Sequence, residues 1–138
     1  MSYKVLDHAT DAFIEVTASS LTEAFEVAGY SVIDTILDNS KIEGKKERNI
    51  VVKGKDLNYI LYNWLEEIIY LIITEGFAIK KLKITLEKNE GYIISARIFG
   101  ENIDIQKHGF KVEIKSPTFH EMEIKQKKQV TMKFLMDL

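Results

Sequence analysis

Apolar positions recur along the 138-residue chain with two different periods. Leu21, Phe25, Ala28, Val32 and Ile36 follow one another at steps of three or four, the spacing of one buried helical stripe. Ser20 opens that helix. In the pattern Ser20-Leu21-Thr22-Glu23 the hydroxyl accepts the Glu23 N–H while Glu23 reaches back, a capping box, and the helix should end near Asp38-Asn39. A second helix is predicted over Leu57 to Glu75, capped by Asp56 and followed by Gly76, where a left-handed backbone costs glycine least. It is apolar on most of its circumference, so it should be the most buried element, with Trp64 against the sheet and Tyr59, Tyr62 and Tyr70 at the core rim. Elsewhere the period is two. Tyr3 to Asp7, Ala12 to Ala18 and Glu47 to Lys53 read as strands. Ile79 to Leu86 and Tyr92 to Phe99 form a hairpin about Lys88-Asn89-Glu90-Gly91, and Thr118 to Lys125 and Val130 to Leu135 form another.

Two helices and about eight strands, with the hairpins late, predict an α+β fold. The expectation is a single domain over residues 1–138, with a largely antiparallel or mixed sheet and two main helices packed on it. An apolar fraction of 46% is enough for one core and too little chain for two. The absence of cysteine excludes disulfides, thiolate metal sites and a thiol nucleophile, which leaves oxygen and imidazole as metal ligands. Met1-Ser2-Tyr3-Lys4 passes straight into strand-like sequence with no leader pattern. The most apolar run, Leu57 to Ile73, is shorter than the roughly 20 residues of a membrane span and carries Glu66 and Glu67. The expectation is a cytoplasmic protein with no membrane partner.

Net charge is −2 and the isoelectric point about 5.9, which argues against stable nucleic-acid binding by general attraction. The charges are unevenly spread. Residues 1–40 set Lys4 against Asp7, Asp11, Glu15, Glu23, Glu26, Asp34 and Asp38, whereas 107–133 hold seven lysines against Glu113, Glu121 and Glu123. Either these are solvated faces that balance in the folded molecule, or they meet a partner.

Two segments carry candidate chemistry. Asp7-His8-Ala9-Thr10-Asp11 places two carboxylates, an imidazole and a hydroxyl within five residues, a set that suits metal binding or acid–base work and equally an ordinary turn. The last strand runs to the final residue. With alternation, Met132, Phe134, Met136 and Leu138 share one face and Asp137 projects from the other, close to the terminal carboxylate. Paired carboxylates need a proton or a hard cation such as calcium or magnesium; the bland alternative is an exposed Asp137 on a fraying end. No Gly-x-Ser-x-Gly, Gly-x-x-x-x-Gly-Lys, Gly-x-Gly-x-x-Gly or His-Glu-x-x-His occurs, so hydrolase and nucleotide-binding readings lose ground. Glu66-Glu67 reads as an exposed helix edge.

Several short motifs then align in order with one family. Asp7-His8-Ala9-Thr10-Asp11 resembles the opening turn of the archeases, Ser20-Leu21-Thr22-Glu23-Ala24-Phe25 their first helix start, and Trp64-Leu65-Glu66-Glu67-Ile68-Ile69 their second helix. Gly100-Glu101 with Lys107-His108, Ile114-Lys115-Ser116-Pro117-Thr118-Phe119-His120, and Met136-Asp137-Leu138 are similar to later segments of that family. Two departures stand out: Ala9 and Thr10 appear in exchanged order, and Ser116-Pro117 replaces a small-plus-apolar pair.

The resemblance implies an accessory protein, not an enzyme, that assists the RtcB-type RNA ligase of tRNA splicing by promoting its guanylylation and turnover. It implies a divalent cation, calcium first and magnesium or manganese as alternatives, held by Asp11, Asp137 and the C-terminal Leu138. Lys115 matches a family lysine tied to activity, and His8, His108 and His120 fall on motif positions, His8 being the partner-facing candidate. The alternatives are a metal-dependent phosphoester hydrolase using the same carboxylates, and a chaperone-like binding module.

Overall fold

A computed structural model describes residues 2–6 and 10–138. Asp7, His8 and Ala9, and with them the expectation attached to His8, lie outside the described residues. The strands are β1 (Ser2–Leu6), β2 (Asp11–Ala18), β3 (Lys46–Gly54), β4 (Phe77–Lys88), β5 (Tyr92–Asn102), β6 (Ser116–Gln126) and β7 (Val130–Asp137). The helices are α1 (Leu21–Ile36), α2 (Leu57–Ile73) and the single turn α3 (Ile105–His108), with a 3-10 turn at Asn39–Lys41. There are seven strands among the described residues, and they make two antiparallel sheets where the sequence suggested one. The order is β1-β2-β7-β6 in the four-stranded sheet and β3-β5-β4 in the three-stranded sheet.

Both long helices contact strands of both sheets, so the helices form a layer between them. This explains why α2 is apolar on most of its circumference: Ile60, Leu61, Trp64, Leu65, Ile68, Ile69, Leu71 and Ile72 are buried, while a narrow stripe with Asn58, Tyr59, Glu66 and Tyr70 stays exposed. Each sheet is therefore one-sided. On β2, Ala12, Ile14, Val16 and Ala18 turn inward while Asp11, Phe13, Glu15 and Thr17 alternate outward. On β7, Met132, Phe134 and Met136 are fully buried, as the alternation predicts. Trp64 sits against α1, its indole N–H donating to the Phe25 carbonyl at 2.8 Å.

Local chemistry sets the element ends. Ser20 accepts the Glu23 N–H, as expected of the cap, but Glu23 reaches one residue further back and accepts the Ser19 N–H and hydroxyl. The first helix stops at Ile36, short of Asp38, because Leu37 is extended and Lys111 bonds the Ile36 and Asp34 carbonyls. The second stops at Ile73, and Gly76 takes φ +65, as its position predicts. Among the described residues no helix is long and apolar enough to cross a membrane.

Candidate functional site

Strand register brings the two predicted carboxylates together. In the β2–β7 pairing Asp11 lies directly opposite Asp137, and on the other flank of β7 Ser116 is the partner of Asp137. Directly opposed residues point to the same side, with Cβ atoms about 4.5–5.5 Å apart, so Asp11, Asp137 and Ser116 form one row on the outer face of the four-stranded sheet. All three are partly exposed. Lys115 fixes the end of this row, its N–H donating to the Asp137 carbonyl at 2.8 Å. Leu138 follows, about a third exposed at 37%. Asp11 thus begins a strand and does not lie in a turn, and the neighbour that sequence reasoning missed is Ser116. Its signal was available in the Ser116-Pro117 departure.

The donor set decides what the row can hold. Like charges directly opposite one another destabilise a strand pair, and two carboxylates with a hydroxyl and a terminal carboxylate are oxygen ligands alone. Such a set fits a hard divalent cation and not a thiophilic one. Among the described residues no third His, Cys, Asp or Glu side chain converges to make a cluster. The further oxygens available to the row are those of Ser116 and Leu138.

Lys115 lines a separate groove of about 470 Å³ against α2, with Glu66, Glu67, Tyr70, Ile73 and Glu113. Burial raises the Glu67 carboxyl above its ordinary range, and the charges of Glu75 and Glu66 add to the rise. Tyr70 is well exposed, as is Tyr59. The structure therefore separates Lys115 from the carboxylate row: the backbone is shared, but the groove is not.

The histidines differ sharply. His120 is exposed and lies in an irregular stretch of β6, where the register jumps between Thr118 and Glu123 and Glu121 takes φ +58. Extra residues in one strand bend it locally, and here they carry Phe119 over α2, stacked on Tyr62 at 4.4 Å and tilted against Tyr59 at 4.9 Å.

His108 is fully buried. Its Nδ1 accepts the Asp104 N–H at 2.9 Å, so the ring proton resides on Nε2, which donates to Glu101 at 3.0 Å. Glu101 also accepts the Glu43 N–H and bonds Lys107, while the His108 carbonyl accepts the Asp38 N–H. The Gly100-Glu101…Lys107-His108 motif is a structural clasp tying the loop after α1 to the end of β5.

The Glu43 N–H, then the His108 imidazole N–H and Lys107, hold the Glu101 carboxyl down to about 2. A carboxyl with a folded-state pKa below its unfolded value contributes stability that is present above about pH 4.5 and is lost as pH falls toward 2. Glu101→Gln should therefore flatten the pH dependence of stability in that window, read from urea midpoints. A slope between pH 4.5 and 2 as steep as that of the parent chain would refute the assignment.

The chain is similar to known proteins over almost its whole length. The model of the Archease protein family (MTH1598/TM1083) matches residues 3–138. The chain is 38% identical to the protein archease of Pyrococcus abyssi over 86% of this chain and 84% of that one. It is 35% identical to the protein archease of Pyrobaculum islandicum over 91% and 87%. The solution structure of Methanobacterium thermoautotrophicum protein 1598 is 27% identical, superposes with a TM-score of 0.84 and is matched over 99% of both chains.

Proposed function

The chain belongs to the Archease protein family, and from that membership we propose that it is an accessory protein, without catalysis of its own, that activates an RtcB-type RNA ligase in tRNA splicing. It promotes guanylylation and turnover of the ligase. The observation that ties this role to particular atoms is the register that sets Asp11 opposite Asp137. These carboxylates, with that of Leu138, hold a divalent cation, calcium first and magnesium or manganese as alternatives; when bound, it supplies a fixed positive charge to the ligase's nucleotide chemistry. Strand pairing on both flanks of Asp137 limits how far the carboxylates can part, so little ordering remains to be done on binding. Activation requires that the charged row bind one ligase state more tightly than another, because a surface with equal affinity for both shifts nothing. Lys115 and His8 are the residues assigned to the partner contact.

The test is guanylylation of the cognate ligase by Asp11→Ala and Asp137→Ala variants. Each should lower the stimulation roughly tenfold or more, since affinity in oxygen-ligand sites follows the number of charged ligands. A cation at a hundred times its Kd should also raise the stability of the parent chain by about 2.7 kcal/mol, and this increment should vanish in Asp137→Ala. Full stimulation by both variants would reject the carboxylate row as the working site.

A further inference from the structure

The outer face of the three-stranded sheet is open to solvent across its whole width, and its charge is of the opposite kind. Two rows at its centre decide its chemistry. In one, Asn49, Arg97 and Lys83 stand side by side on β3, β5 and β4; in the next, Val51, Ser95 and Thr85 do. All six are exposed. Lys83 and Arg97 are direct cross-strand partners, a like-charge juxtaposition that Glu47 on β3 offsets in part. Glu47 bonds Arg97 through Nε at 3.2 Å and Nη2 at 3.1 Å, which fixes the guanidinium and leaves Lys83 the more open cation of the two.

A shallow groove of about 380 Å³ runs over these rows, and among the described residues no carboxylate lines it. Its polar side chains, from Asn49, Lys83, Thr85, Ser95 and Arg97, all carry hydrogen-bond donors. One row beyond on either side Lys81 shares its row with Phe99 and Glu47, and Lys53 shares its row with Ile93 and Glu87, so the cationic excess lies on the β4 side around Lys81 and Lys83. Successive rows are about 6.8 Å apart along the strands.

We propose that this face binds the phosphodiester backbone of single-stranded nucleic acid, with Lys81 and Lys83 on the phosphates and Asn49, Ser95 and Thr85 as hydroxyl and amide contacts. An acidic protein segment is the less suitable occupant. Stable protein interfaces are anchored by buried aromatic or aliphatic side chains, and of the central residues only Val51 is apolar. Phosphate binding needs cations and donors on an open surface, which is what the face supplies. The net charge of −2 for the whole chain conceals this region, so the binding is weak and depends on the face, not on the average. The helical layer separates it from the Asp11–Asp137 row, and it stands or falls independently of ligase activation.

The experiment is fluorescence anisotropy of a labelled single-stranded RNA of about 12 nucleotides with the whole chain alone. A Kd on the order of 10⁻⁵ M is expected at about 50 mM salt. With two or three phosphates neutralised, raising salt to about 200 mM should weaken binding roughly 7- to 18-fold. The double variant Lys81→Ser/Lys83→Ser should lose about tenfold in affinity and much of the salt dependence, with an unchanged unfolding midpoint, and Lys83→Arg should bind like the parent. Lys127→Ser/Lys128→Ser, in the β6–β7 turn, serves as the control and should leave affinity as it is. The proposal is overturned by absence of binding at low salt, by an equal loss in the control variant, or by equal competition from a poly-glutamate peptide of matched charge.

Discussion

Trp64→Ala should lower the free energy of unfolding by about 3–5 kcal/mol, the range for removing a large aromatic from a packed core. Trp64 is the largest fully buried side chain, in the central layer, in the same core cluster as Phe25, Leu65 and Ile68. Truncation leaves a cavity bounded by elements that are themselves held between two sheets and cannot collapse into it. It also removes the indole N–H that the Phe25 carbonyl accepts. Since domains of this size are stable by only about 5–15 kcal/mol, the variant should show a large fall in urea midpoint with little change in slope. Trp64→Phe separates the two contributions: it keeps most of the apolar volume, loses the hydrogen bond and should cost about 1–2 kcal/mol. A loss below about 1 kcal/mol for the alanine variant would mean that the helical layer closes over the site.

Gly100→Ala is the second large effect, at about 3 kcal/mol, near the upper end of ordinary overpacking. A Cβ on Gly100 would run into the Ala78 carbonyl oxygen and stand 3.0 Å from its carbon, both backbone atoms of the paired strand. Neither can swing aside as a side chain would. The strands must separate at the point where their register already shifts between Ile79 and Lys81. Glu101 follows immediately, so the damage should pass into the clasp. In hydrogen exchange, the Glu43 and Asp104 amides should lose protection in Gly100→Ala beyond what the drop in global stability explains. Protection unchanged relative to other amides of the same strands would show that the clasp does not depend on this close approach.

The motif residues thus divide between two kinds of work. Gly100, Glu101, Lys107 and His108 hold the loop after α1, and their substitution is expected to read out as stability. Asp11 and Asp137 lie at the ends of the two inner strands of the four-stranded sheet, on its outer face, and theirs is expected to read out as lost cation binding with the fold intact. Measuring both quantities on the same variants distinguishes the classes. His120 belongs to neither group, being carried on the irregular stretch of β6.

Much of this protein follows from local pattern. The Ser20 and Asp56 caps, the left-handed Gly76, the hairpin about Gly91 and the inward alternation of Met132, Phe134 and Met136 depend on neighbours within a few residues, and there the sequence alone determined the element. The candidate carboxylates Asp11 and Asp137 were also recognisable, as an acidic turn and an abrupt chain end. Their juxtaposition was not, because it requires β2 and β7, more than a hundred residues apart in the chain, to pair in one register. A shift of one residue would turn every side chain of a strand to the other face. The division into two sheets was hidden for the same reason: a one-sided strand reads alike whichever sheet it joins. So was the role of His108, whose partners Asp104 and Glu101 are near in sequence but meet it only because α3 folds back onto β5. Periodicity fixes which face of an element is apolar; only tertiary packing decides which faces meet, and so which charges must live beside one another.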